Sequence, residues 1–129
     1  MPEVRTFILV IDGRLPSLNE AVTADRSSAK YGAAFRRRSL NRVKGFVREQ
    51  LEGVVFQHPV QMDYYWFEKD RSRDMDNISS YGRKVIQDAL RAYKILRNDG
   101  WDCIRGFTDT FAVDAAYPRI VVKITEVKK

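Results

Sequence analysis

Two aspartates stand two residues apart in the run Lys69-Asp70-Arg71-Ser72-Arg73-Asp74-Met75-Asp76-Asn77, and a third acid follows at Asp99, in Asn98-Asp99-Gly100. In an extended segment residues 74 and 76 face the same way, so their carboxylates converge without unusual geometry. Joined by Asp99, they suit magnesium, which takes oxygen ligands at about 2.0–2.1 Å in octahedral geometry, usually one or two carboxylates plus water and substrate phosphate. Such an ion acidifies a bound water and polarises a phosphodiester oxygen, the two things that hydrolysis of that bond needs. Lys84, brought to the same place, could offset charge developing on the phosphorane or the departing oxygen. A plainer account stands beside this one. Aspartates ahead of a first helical turn complement the macrodipole, and Asn77 is a good cap.

The elements that must position these residues are legible as periods. After Asn77 a helical pattern packs Ile78, Gly82, Val85, Ile86, Ala89 and Tyr93 on one face, with Lys84 and Asp88 four apart on its flank. Before the acids, Pro59 to Phe67 is rich in strand-favouring aromatics, and Val60, Met62, Tyr64 and Trp66 share one face. Most of these aromatics read as packing residues, and Phe67, nearest the acids, is the one best placed to stack on a base. His58 reads as a solvent-facing histidine at a loop edge.

Arg5 to Ile11 is a β-branched run closed by Asp12-Gly13, a first strand, whereas Glu20 to Tyr31 has no clean period and reads as a loop. From Ala33 to Gln50 the period is helical, with Phe35, Val43, Phe46, Val47 and Leu51 on one side and Arg37, Arg38, Asn41 and Arg48 on the other; Gly53 is a stop. Trp101 to Val113 contains a strand, Asp114 to Pro118 turns the chain, and Arg119 to Val127 sets Val122, Ile124 and Glu126 against Val121, Lys123, Thr125 and Val127. The expectation is one α+β domain over residues 1–129, in the order β-α-β-α-β-β, its helices packed as a second layer on a mostly antiparallel sheet.

Composition narrows the function. No apolar run in the 129 residues approaches the roughly 20 that a membrane helix requires, and the N-terminal residues lack a secretory pattern, so a cytoplasmic protein is expected. Cys103 is the single cysteine, which excludes an intramolecular disulfide and a cysteine-rich zinc site and reads as a small apolar residue in or beside a strand. Lys and Arg number 23 against 17 Asp and Glu, a net charge of +6, and a basic domain tends to meet a polyanion, nucleic acid first. Candidate phosphate contacts are Lys69, Arg71 and Arg73 beside the acids and Arg36, Arg37 and Arg38 on the first helix, where a solvated face explains the charge equally well.

Taken together, Arg71-Ser72-Arg73-Asp74-Met75-Asp76-Asn77, then Lys84 and Asp88-Ala89-Leu90, then Asn98-Asp99, resembles the RusA family of Holliday-junction resolvases. Those proteins carry a basic run, Asp-x-Asp-Asn, a helix with a lysine and Asp-Ala-Leu, and a later Asp-Asp or Asn-Asp. Leu15-Pro16-Ser17-Leu18-Asn19 is similar to the family's Pro-Ser-x-Asn segment, and the element order matches along nearly the whole chain. The resemblance implies a homodimeric endonuclease, dependent on magnesium with manganese able to substitute, that makes paired nicks in four-way DNA during recombination and repair, in a bacterium or encoded by a prophage. Asp74, Asp76 and Asp99 fall on its acidic positions and Lys84 on its lysine. Two other readings stay open: a related nuclease for flaps or other branched DNA, and a nucleic-acid-binding module without catalysis. One departure bears on geometry. Between Asp76 and Asp-Ala-Leu this chain has about one extra helical turn, best placed at Ile78-Ser79-Ser80-Tyr81. A helix from Asn77 to Tyr93 would run roughly 25 Å, while the six residues from Lys94 to Asp99 retrace at most about 20 Å. A helix starting late, near Ser80, is therefore expected if Asp99 is to meet Asp76.

Overall fold

In a computed structural model that describes residues 3–128, four strands form one mixed sheet and three helices lie against it. Strand β1 (Glu3–Asp12) is followed by helices α1 (Leu18–Ser27) and α2 (Ala29–Leu51), then β2 (Val60–Glu68), α3 (Met75–Ala92), β3 (Ile104–Val113) and β4 (Arg119–Lys128). The sheet order is β1-β4-β2-β3. Both pairings of β4 are antiparallel and β2 pairs with β3 in parallel. A parallel neighbour needs a crossover, and α3 is that crossover. The α+β two-layer class and the mostly antiparallel sheet are thus as expected. No helix among the described residues is long and apolar enough to cross a membrane.

Alternation makes β2 the spine: Val60, Met62, Tyr64 and Trp66 are buried towards the helices, and Val122 and Ile124 of β4 join them. Gly82 of α3 sits against the Trp66 ring, where an added Cβ would lie 2.7 Å from two ring carbons. Cys103 is buried just before β3, as read from the sequence.

Three expectations fail. The segment from Glu20 to Tyr31 is not a loop but α1 and the first turn of α2. Ser17 and Glu20 close a reciprocal capping box at the start of α1, and Ser28 caps α2 by accepting from the Tyr31 N–H. The late start near Ser80 is also overturned. Helix α3 is regular from Met75, and its N-cap is Asp74 rather than Asn77. Tyr93, assigned to the packed face, is the C-cap and 39% exposed.

Among the described residues only one face of the sheet is covered. On the other, Val4 is 59% and Ile8 50% exposed, and Val10, Tyr65, Phe67, Val121 and Val127 are partly exposed.

Candidate nucleic-acid and catalytic site

The run from Lys69 to Asp74 is held in place by a buried carboxylate. Glu68, 5% exposed at the end of β2, accepts from Arg73 Nε at 3.0 Å and Nη2 at 2.9 Å, and from Arg14 Nη1 at 3.4 Å. A buried charge requires such partners. Arg73 Nη1 also donates to the Leu15 carbonyl at 2.9 Å. The Leu15-to-Asn19 segment and the acidic run, far apart in sequence, are thereby tied together. Within the loop the Asp70 carboxylate accepts from the Ser72 N–H at 2.9 Å and the Ser72 hydroxyl at 2.6 Å, which hold its pKa below the usual carboxylate value.

Arg73 has its guanidinium engaged by Glu68 and Leu15, so it fastens the loop and is less free to meet a phosphate than the expectation supposed. Arg36 is also engaged, by Asp25 at 2.5 Å, and stands over the Tyr81 ring. Lys69, Arg71, Arg37 and Arg38 are exposed and enter no ion pair among the described residues.

The four motif residues divide into two groups. Asp74 and Asp76 sit at the N-cap and first turn of α3, both exposed, and Asp74 makes no side-chain cap bond. Lys84 lies eight residues on, roughly 12 Å along the axis. There its Nζ meets Asp99 Oδ2 at 2.9 Å and Asp88 Oδ1 at 3.3 Å. Arg91 Nη1 lies 3.2 Å from Asp88 and 3.7 Å from the same Asp99 oxygen. The structure therefore joins Lys84 to Asp99, and Asp99 makes no contact with Asp74 or Asp76 among the described residues. No group of three or more His, Cys, Asp or Glu among the described residues is arranged to hold a metal.

The turn after α3 explains this. Lys94 adopts the left-handed conformation (φ 59°), its N–H donates to Arg91 O at 2.9 Å, and Ile95 N–H donates to Leu90 O at 2.9 Å. This closes the helix as a Schellman motif and sends the chain back along the flank for only part of the helix length. The hydrogen bond to Asp99 raises the Lys84 pKa, and that same bond lowers the Asp99 pKa. Both groups are consequently charged through the neutral range.

Beside this pair α2 and α3 leave a groove of about 540 Å³ lined by Leu40, Lys84, Asp88, Arg91, Ala92 and Arg97. It adjoins a hollow lined by Arg36, Arg37, Leu40, Tyr81, Lys84, Val85 and Asp88. Groove and hollow together are lined by five cations, of which Arg36 is paired with Asp25, and by one acid, Asp88, a balance suited to a phosphate backbone. Sequence reasoning did not pick out Arg91 and Arg97. Arg91 carried a signal, since it stands seven residues after Lys84 on the same flank; Arg97, in an aperiodic loop, carried none. Phe67 is less open than expected, because the Arg119 guanidinium lies 3.9 Å from its ring centroid.

No protein-family model matches the chain, and no curated protein matches it.

Proposed function

We propose that the chain is a magnesium-dependent, structure-selective endonuclease of the RusA type that nicks four-way DNA as a homodimer in the bacterial cytoplasm. The observation that carries this reading is the 2.9 Å contact between Lys84 and Asp99, residues 15 apart that belong to one motif set, on the edge of a cationic groove. Duplex arms laid in the groove would meet Arg37, Arg91 and Arg97, with Lys69 and Arg71 on the loop at the other end of α3. Of the aspartates, Asp74 and Asp76 fit a shared cation. They are exposed at one helix start, and two carboxylates with water and phosphate meet the usual demand of magnesium. When bound, that metal supplies an acidified water and a polarised phosphodiester oxygen. Asp99 does not fit as a third ligand, being committed to Lys84. Its part is to orient the ammonium, which is positioned to neutralise phosphate charge in the groove.

The second reading, a binding module without hydrolysis, is favoured by the separation of Asp99 from Asp74 and Asp76. Nicking of labelled four-way junctions, flaps and linear duplex, with magnesium and with chelator, decides between them. The nuclease reading requires nicking that chelator abolishes and that Asp76→Asn loses while junction binding persists. Absence of metal-dependent nicking on every branched substrate, with binding intact, leaves the module.

A further inference from the structure

We propose that Trp101 is a stacking site for an unpaired or branch-point nucleobase; the inference rests on the nucleic-acid reading above and adds the subsite that recognises a base. Trp101 is 98% exposed, although tryptophan is among the side chains most buried on average. Its loop is not a loose one. The Asn98 carboxamide oxygen accepts from the Gly100 N–H at 2.8 Å, and the Gly100 carbonyl accepts from the N–H groups of Cys103 at 3.0 Å and Ile104 at 2.9 Å. Cys103, buried, returns a carbonyl to the Val60 N–H at 2.9 Å. Both stems of the turn are therefore anchored and the indole is presented from a fixed base. That arrangement removes most of the ordering cost of a contact before the partner arrives.

Placement points to a base as that partner. Two residues before Trp101, Asp99 holds Lys84 at the edge of the groove that Arg91 and Arg97 line. A cationic track beside an open aromatic face is the combination by which proteins hold single-stranded or distorted nucleic acid, the cations taking the backbone and the ring taking a base. Among the other exposed aromatics Tyr117 lies under Arg119, Tyr93 under Lys44 and Phe107 under Arg83, while Tyr31, which carries no cation, is only 49% exposed. The indole of Trp101 has no cation over it among the described residues. Its face is open, and any of the four bases can stack on it, which suits a site that reads branch structure without regard to sequence.

Fluorescence tests this directly, because the other tryptophan, Trp66, is 1% exposed and serves as a silent reference. Full-length protein is titrated with a short single-stranded oligonucleotide and with a synthetic four-way junction. The exposed emission is expected to be quenched by DNA and shielded from acrylamide. Trp101→Ala should lose about 5- to 100-fold in affinity for both DNAs, the range that one base stack carries, while Trp101→Phe loses only a few-fold and both variants melt with the wild type. Wild-type binding that Trp101→Ala leaves unchanged overturns the stacking site and spares the nucleic-acid reading. Wild type that binds neither DNA overturns both. Acrylamide shielding that appears with protein concentration alone assigns the indole to a protein contact and overturns the proposal.

Discussion

At the scale of single residues, charge alone does not reveal function; what each charge touches does. Arg71 and Arg73 are alike in sequence and lie on the same loop, yet Arg73 fastens the buried Glu68 whereas Arg71 is exposed. Removing Arg73 would leave the buried Glu68 with only the longer Arg14 contact at 3.4 Å, a loss bounded by the roughly 3–5 kcal/mol of a fully uncompensated buried charge. Arg73→Ala is therefore expected to lower the urea midpoint strongly, and Arg71→Ala to leave it unchanged. In DNA binding the order reverses for the folded proteins. Arg71→Ala should weaken binding to all sequences and reduce the slope of log affinity against log salt by about one. A stable Arg73→Ala with a reduced salt slope would return that residue to the phosphate contacts.

At the scale of elements, the strands and the two long helices were legible because burial imprints a period: β2 alternates residue by residue, and α3 repeats Ile78, Gly82, Val85, Ile86 and Ala89. Helix α1 was hidden because it buries only Ala21 and Ala24, too little apolar surface to make a period; its sign was the capping pattern Ser17-x-x-Glu20. The site was only half legible. Motif spacing named Asp74, Asp76, Lys84 and Asp99, but a left-handed lysine in the turn after α3, which no residue preference announces, decided which of them meet. Glycine in the middle of α3 has a packing cause. Gly82→Ala would gain roughly 1 kcal/mol in helix propensity, but its Cβ would meet Trp66 at 2.7 Å. That ring is buried and its Nε1 donates to Asp109 at 2.9 Å, so it cannot yield. Overpacking of this kind costs about 1–3 kcal/mol, and net destabilisation is expected by chemical denaturation. In α2, Gly45→Ala meets nothing within 4 Å and should stabilise by up to about 1 kcal/mol. Equal effects at the two glycines would show that the helix–sheet contact does not set the choice.

At the scale of the whole molecule, the bare face of the sheet is where the proposed dimer must be argued. Four strands about 4.8 Å apart and ten residues long at about 3.3 Å each present roughly 600 Å². Two such faces together come near 1,200 Å², the lower edge of specific interfaces. The face is apolar in its body, with Ile8, Val10, Tyr65 and Val121, and carries Lys123 directly across from Asp63 on the neighbouring strand. A two-fold axis lying in the face midway between these residues would set each copy's Lys123 over the other's Asp63, making one surface complementary to itself, as an isologous interface requires. Such a pairing would leave the helices and the groove on the two outer sides, so that each copy of the proposed nuclease would offer one cutting site to a junction that has two-fold symmetry. Ile8, 50% exposed, contributes little to the monomer core, so Ile8→Asp should fold with an unchanged circular dichroism spectrum. Sedimentation velocity is expected to show dimer for the wild type and monomer for Ile8→Asp, and on a four-way junction the variant's two nicks should lose their coupling and appear as single-nicked product. A wild type that sediments as monomer at tens of micromolar, or a variant that still sediments as dimer, removes the sheet face from the interface.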